Sequence, residues 1–579
     1  MNRRQFLTTA GGALAIVGRA PGSGLRAAER KATDLVGYWP LRGDCQDRSS
    51  YGNHGRSHGD GAAQGEFDGH ASFVEIPPSS SLQFGRGDFT LCAWVWTARE
   101  TDDVVGDVVA KFDPVQRKGF NLTLKSSSGG YNSHGDDCHV LFGIDDARTS
   151  DWEDCGRPSP TSNYVSNSLT VFDGHLYAAI TDAVKEEDWC HVFRYHGKSE
   201  WQDCGRVGNL KTRGVGPMIV HQGHLYAATW NYDWTRVGID RPGRPRYEAD
   251  YCRVYRYAGG KEWIDCGQPG NNRRLFGMAI FHGALYVVGE DRGCYVREGG
   301  AEWKRCGSFP NYAHPMAVHH GRLFAGVLNP AGVHAYDGQR WKALGNPYGS
   351  EKVCNQIHAL EIYGGRLYAT TWPEGRVARL EKDDQWVDCG RLGDCIEING
   401  LTVYNGKLYG GTIPRAEVFR YDGDKSWTSI HRFLDPAGYE FKDSTEWARV
   451  TSLTVYGGKL FASMGSCTSS HLDAPADFRG KVYAFEAGKC ISYDRDLGPG
   501  WKHLAAVKRA RRLELFVDGQ GVAESSVFNP RSFDLHNHQP LRIGFGETDY
   551  FSGKIREVRV YNRALTAVEI QRLARSAAR

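Results

Sequence analysis

Seven copies of one short pattern fill the middle of this chain, and a repeat of that kind constrains the architecture before any single residue does. The segment Leu169-Thr-Val-Phe-Asp-Gly-His-Leu-Tyr-Ala-Ala recurs with small changes from Met218, Met278, Met316, Leu360, Leu401 and Leu453. Each copy reads as a short apolar strand, a glycine turn such as Asp173-Gly174 or Asn405-Gly406, and a second strand. A variable loop leads to a third strand, as in His191-Val-Phe-Arg-Tyr195. A turn at Gly197 then leads to a fourth, carrying Trp201-Gln-Asp-Cys-Gly205. The Trp-x-x-Cys-Gly ending returns at Trp152, Trp263, Trp303 and Trp386, while Trp341 and Trp427 lack the cysteine. Four strands in roughly 47 residues is the length of one propeller blade. The spacing predicts an all-β chain with a seven-bladed β-propeller over residues 150–490.

The seventh copy lacks its own Trp strand, and an orphan copy, Trp152-Glu-Asp-Cys-Gly156, precedes the first. The orphan is expected to complete the last blade, which ties the two ends together and leaves no open edge. Strand alternation puts the tight turns on one face and the longer loops on the other. Function is expected on the long-loop face, near the central channel.

The flanks, 35–145 and 491–579, carry none of this repeat. The first contains Val36-Gly-Tyr-Trp-Pro-Leu41, Asp47-Arg-Ser-Ser-Tyr-Gly-Asn-His-Gly55 and Asp88-Phe-Thr-Leu-Cys-Ala-Trp-Val95. The last contains Leu515-Phe-Val-Asp-Gly519 and Gly553-Lys-Ile-Arg-Glu-Val-Arg-Val-Tyr561. Alternating apolar residues mark half-buried strands. Together the two flanks resemble the halves of a laminin-G-like, concanavalin A-like jelly-roll, which implies that the propeller interrupts one sandwich. Thr566-x-x-Glu569 is a capping box for a short terminal helix.

Residues 1–28 resemble a twin-arginine export signal: Arg3-Arg4, then Phe6-Leu7, a mild apolar run to Val17 and small residues to Ala28. The resemblance implies export across a bacterial inner membrane, to the periplasm or beyond. Fifteen cysteines suit an oxidising destination. Cys190 and Cys204 are equidistant from Gly197, Cys252 and Cys266 from Gly259, and Cys294 and Cys306 from Gly300. Facing positions in a hairpin lie within disulfide reach, so three bridges are expected. Lys+Arg 71 against Asp+Glu 68 gives a net charge of +3, which argues against a dedicated nucleic-acid binder. No run of 18 uncharged apolar residues exists to span a membrane as a helix.

Motifs for chemistry are sparse. Gly55-Arg-Ser-His-Gly59 matches the nucleophile-elbow pattern without its strand–turn–helix context. There is no H-E-x-x-H, Walker or EF-hand loop. The E-x-D-x-x-E strand of glucan-hydrolysing jelly-rolls and the S-x-D-x-G-x-T-W box of sialidase propellers are missing as well. Jelly-rolls of this family often hold calcium, for which Asp44, Asp47 or Asp549 could serve. The channel mouth offers more. Residues before each first strand include Arg274, His314, His358, Glu397, Asn399 and Arg449, and the long loops add Trp230, Tyr232, Trp372 and Arg415. Aromatic faces stack on sugars, and arginine forks bind carboxylates or sulfates. If the chain is an enzyme, His314, His358, Glu397 and Arg449 carry the chemistry. Whether or not it is an enzyme, Trp230, Tyr232, Arg274, Trp372, Asn399 and Arg415 are expected to bind the ligand.

Three functions fit. One is a secreted glycan-binding protein. Another is a polysaccharide lyase or glycoside hydrolase with its site on the long-loop face, and the third is a protein-binding scaffold. Catalysis requires the named His, Glu and Arg to converge within a few Å. Binding alone requires exposed aromatic platforms, and a scaffold a broad apolar patch.

Overall fold

The computed structural model describes residues 34–99, 105–126, 135–183, 185–231, 250–434, 448–466 and 478–576. Among these, nearly all regular structure is strand, and the one α-helix is Ala567–Ser576. Its capping box forms: Glu569 N–H donates to Thr566 Oγ1 at 3.3 Å, and the Thr566 N–H to Glu569 Oε2 at 2.8 Å.

Two seven-stranded antiparallel sheets draw on both flanks. In the first, Phe89–Thr97 lies between Gly500–Arg509 and Ser552–Tyr561. In the second, Gly106–Asp113 pairs with Leu541–Ile543, and His139–Thr149 with Ala487–Tyr493. That last strand crosses the boundary expected at 490. Trp39, Phe89, Phe120, Phe142, Leu504 and Val558 belong to one apolar core, shared by both sheets.

Between the flanks lie the repeats. Five form separate four-stranded sheets, and the first and seventh join one eight-stranded sheet through Tyr164 and Gly465. Each first strand contacts the next around the series, and Ala448–Tyr456 contacts Ser162–Phe172, returning to the start. The orphan strand Glu153–Asp154 pairs with Val482–Phe485 of the seventh repeat.

The Trp-x-x-Cys-Gly ending works as a latch between neighbouring repeats. Trp201 Nε1 donates to the Cys155 carbonyl at 2.9 Å, Trp263 to Cys204 at 3.0 Å, and Trp303 to Cys266 at 2.8 Å. Trp427 does the same to Cys389 at 2.9 Å. The following glycine takes a left-handed conformation, φ 89° at Gly205, and a Cβ there would run into the Lys261 carbonyl. Only glycine lets the next repeat's turn come this close.

The expected disulfides are not formed; all six cysteines are free thiols. In the first two hairpins the turn is centred beyond the glycine. Tyr195 faces Trp201 and Tyr255 faces Asp265, so Cys190 meets Val207 rather than Cys204. Cys204 and Cys266 are small buried residues of the latch. The third hairpin keeps the symmetric register, Tyr295 opposite Arg305. Its bulge leaves Cys306 Sγ 3.4 Å from the Cys294 carbonyl.

The tight-turn face rests on the two flanking sheets. Asp173 pairs with Arg495, His221 with Asp136 at 2.8 Å, and Gly364 N–H donates to Glu547 O at 2.9 Å. Asn405 accepts from Asn121 at 3.1 Å and donates to Ala487 O at 2.8 Å, and Gly457 N–H donates to Asp494 at 2.9 Å. These contacts engage the turns between first and second strands of five repeats.

Candidate functional site

A recurrent defect in the first strands builds the site. Leu275 faces Gly289 but Gly277 faces Val288, leaving Phe276 as an extra residue. The same slip falls between Ala313 and Met316, Ile357 and Leu360, Ile398 and Gly400, and Val450 and Ser452. A β-bulge bends its strand and re-aims the side chain it carries. The bulge positions hold Phe276, His314, His358 and Asn399, each two residues before the start of its repeat. Two residues earlier again stand Arg274, Tyr312, Gln356, Glu397 and Arg449. Gly326, opposite the bulge at His314, has no room for a Cβ beside Ile357 and Pro315.

These residues meet. The Phe276 and His314 rings lie 3.9 Å apart between centroids, and His314 and His358 are edge-to-face at 5.1 Å. His358 Nε2 is 2.8 Å from Gln356 Oε1, and its Nδ1 is 3.5 Å from Glu397 Oε1. Arg449 reaches Glu397 at 3.4 Å and Asn399 Oδ1 at 3.3 Å. Arg274 pairs with Glu290 at 3.3 Å and stacks on Phe276 and Tyr312. His314, His358, Glu397 and Arg449 are each only 5–6% exposed. Asn399 is fully buried, and its Nδ2 has no hydrogen-bond partner.

Burial pushes His314 well below the ordinary histidine value, and the cations of Arg274 and Arg449 push the same way. Burial also lowers His358, against the pull of Glu397. Both rings are therefore neutral near neutral pH. With Nε2 donating to Gln356, the basic nitrogen of His358 is Nδ1, on the Glu397 side. A neutral imidazole beside a carboxylate and two arginines can take a proton and hold an anion.

The other sequence candidates divide. Trp230 bridges to Arg274 through the backbone, and its ring lies 6.3 Å from Phe276, extending the aromatic row. Half-buried Trp372 pairs with Gln356 across the strands, next to the cluster. Arg415 is drawn to Asp394 at 2.8 Å. Tyr232 lies outside the described residues. Phe276, Tyr312 and Gln356 were not singled out in the sequence, although they occupy the same two repeat positions as the histidines. Of the calcium candidates, Asp44 pairs with Arg48 at 2.5 Å, and Asp47 accepts from Tyr38, Ser49 and Asn53 in its own turn. Asp549 stands among histidines rather than oxygens.

The family described as the Concanavalin A-like lectin/glucanases superfamily matches residues 446–571. The matched residues include the strands Ala448–Tyr456, Lys459–Ser466 and Val482–Phe485 of the seventh repeat, and from Ala487 onward strands of the flanking sheets. No curated protein matches the chain. Several solved structures are similar to it. Virginiamycin B lyase from Staphylococcus aureus is 8% identical with a TM-score of 0.42, over 58% of this chain and 99% of that one. YCF48 from Cyanidioschyzon merolae is 14% identical with a TM-score of 0.39, over 58% and 99%. The WD40 β-propeller domain of Doa1 is 9% identical with a TM-score of 0.39, over 58% and 97%.

Proposed function

We propose that this chain is an exported, glycan-directed enzyme that cleaves uronate-containing polysaccharides by β-elimination. In this reading the seven repeats are the blades of one propeller, inserted into a jelly-roll sandwich built from residues 34–149 and 487–576. The sandwich supplies glycan binding, which its match to a lectin and glucanase superfamily supports.

One observation carries the catalytic part: His314, His358, Glu397 and Arg449, from four different repeats, converge in one buried cluster. A binding site needs no such convergence. Elimination asks for a cation on the uronate carboxylate and a base for the proton on the adjacent carbon. Arg449 and Arg274 are the cations, and His358 Nδ1 is the base. As that proton leaves, its bonding electrons form the carbon–carbon double bond. The bond to the leaving sugar oxygen breaks, and protonated His358 gives its proton to that oxygen, which returns the ring to its neutral form. The spare Nδ2 donor of Asn399 can bind the carboxylate as its charge delocalises. Hydrolysis asks for two carboxyl groups flanking the bond, whereas one acid, Glu397, stands beside His358 and Glu290 lies apart with Arg274.

Affinity electrophoresis of the full chain in gels containing neutral or uronate polymers tests recognition. Retardation by uronate polymers, weakened in Arg449→Gln, is expected. Equal mobility in every gel, or retardation by neutral glucans alone, would overturn the reading.

A further inference from the structure

A second cluster lies on the opposite, tight-turn face, where the fourth repeat meets the flanking sheets. His319 ends the strand Ala313–His319, and His320 occupies the turn that follows. Their rings stack at 3.6 Å between centroids. Asp549, fully buried, approaches from the last flank, with Oδ2 3.9 Å from His319 Nδ1. One ligand atom from each of the three lies within 4.8 Å of the others. A third imidazole, His70 of the first flank, stands edge-on to His320 at 4.5 Å. Its turn is held by Asp68, which accepts three consecutive backbone N–H groups, His70 to Ser72.

The donor set is specific. Two or three imidazoles and one carboxylate suit zinc, which takes four nitrogen, oxygen or sulfur ligands in a tetrahedron. Calcium prefers six to eight oxygens and is poorly served here. The nearby cations are already balanced: Arg322 pairs with Asp384 at 3.4 Å and Arg366 with Glu381 at 3.1 Å. Asp549 itself accepts from the Tyr550 N–H at Oδ1, at 2.7 Å, and presents Oδ2 to His319. The ligands come from three separated parts of the chain, so a bound ion would fasten the repeat region to both flanks at once.

We propose that His319, His320 and Asp549, with His70 as a fourth ligand, form a zinc site that staples the repeat region to the flanking sheets. The reading is independent of the catalytic cluster on the other face.

The test uses the full chain, stripped with chelator and titrated with Zn2+, Co2+ or Ca2+. Uptake of one Zn2+ per chain with a raised Tm is expected, with visible Co2+ bands free of thiolate charge transfer. His320→Asn keeps the left-handed turn, φ 49°, because asparagine tolerates it. It should weaken Zn2+ binding at least about tenfold, the lower end of what losing even a supporting group costs a zinc site. The metal-free Tm should be unchanged. His70→Ala should weaken binding without unfolding the chain. Absence of stoichiometric Zn2+ uptake, thiolate bands with Co2+, preference for Ca2+, or binding undiminished in both variants would overturn the proposal.

Discussion

His358 Nδ1 and Glu397 Oε1 lie 3.5 Å apart, on first strands of adjacent repeats. Arg449, from the next repeat, reaches the same carboxylate oxygen at 3.4 Å. The three side chains are buried together, and Glu397 and Arg449 balance each other's charge beside the neutral ring.

Arg449→Ala should therefore cost about 3 kcal/mol or more in denaturant unfolding, because it leaves Glu397 charged and buried without its guanidinium partner. Replacing both, as Arg449→Met with Glu397→Leu, should recover most of that loss. A double variant no more stable than the single one would show that the pair is not coupled.

The latch makes a different demand. Trp263→Phe keeps the ring but loses the indole bond to the Cys204 carbonyl, and should cost about 1 kcal/mol. Gly205→Ala adds backbone strain and a clash with Lys261, and should cost more, about 2 kcal/mol or above. Unfolding curves for the two variants give the order directly.

His503 gives a pH prediction with a definite sign. It is fully buried against Trp94, neither ring nitrogen has a hydrogen-bond partner, and burial pushes it down to about 4. Above about pH 6.5 neither folded nor unfolded chain carries its proton. Between there and about 4 only the unfolded chain does, so stability is lost as pH falls, by about 1.4 kcal/mol per pH unit from this residue. His503→Phe should remove that loss. Its advantage over wild type, measured by urea unfolding, should widen from pH 6.5 to 4.5 and be constant above 7.

For the cysteines, the structure separates one hairpin from two. In the third hairpin the two thiols adjoin, with Cys306 Sγ donating to the Cys294 carbonyl at 3.4 Å; burial and the neighbouring Cys306 raise Cys294, and Cys294 lowers Cys306. Peptide mapping of air-oxidised protein without reductant should recover a Cys294–Cys306 linked pair. It should recover no Cys190–Cys204 or Cys252–Cys266 link. Equal recovery of all three would restore the register argued from glycine positions alone.

These cases also mark what the sequence can and cannot say. The repeat period placed the strands, and the orphan Trp152 strand fell beside the seventh repeat, because both follow from strand count and alternation. The same alternation brought His314, His358, Glu397 and Arg449 onto one list. It missed Phe276 and Gln356, since an apolar residue in an apolar strand and a lone glutamine carry no signal until the shared bulge position is seen. The disulfide argument failed where the turn is centred one residue beyond its glycine, a shift that φ preferences alone do not reveal. The His319–Asp549 contact joins residues 230 positions apart and has no local signature.

The most direct test of the catalytic account is the absorbance of new unsaturated uronate when the full chain is mixed with uronate polymers. The account expects a steady rise with wild type. His358→Gln should slow that rise by about 100-fold or more while keeping the wild-type fold and polymer retardation. No rise with any uronate polymer, or an undiminished rise in His358→Gln, would contradict it.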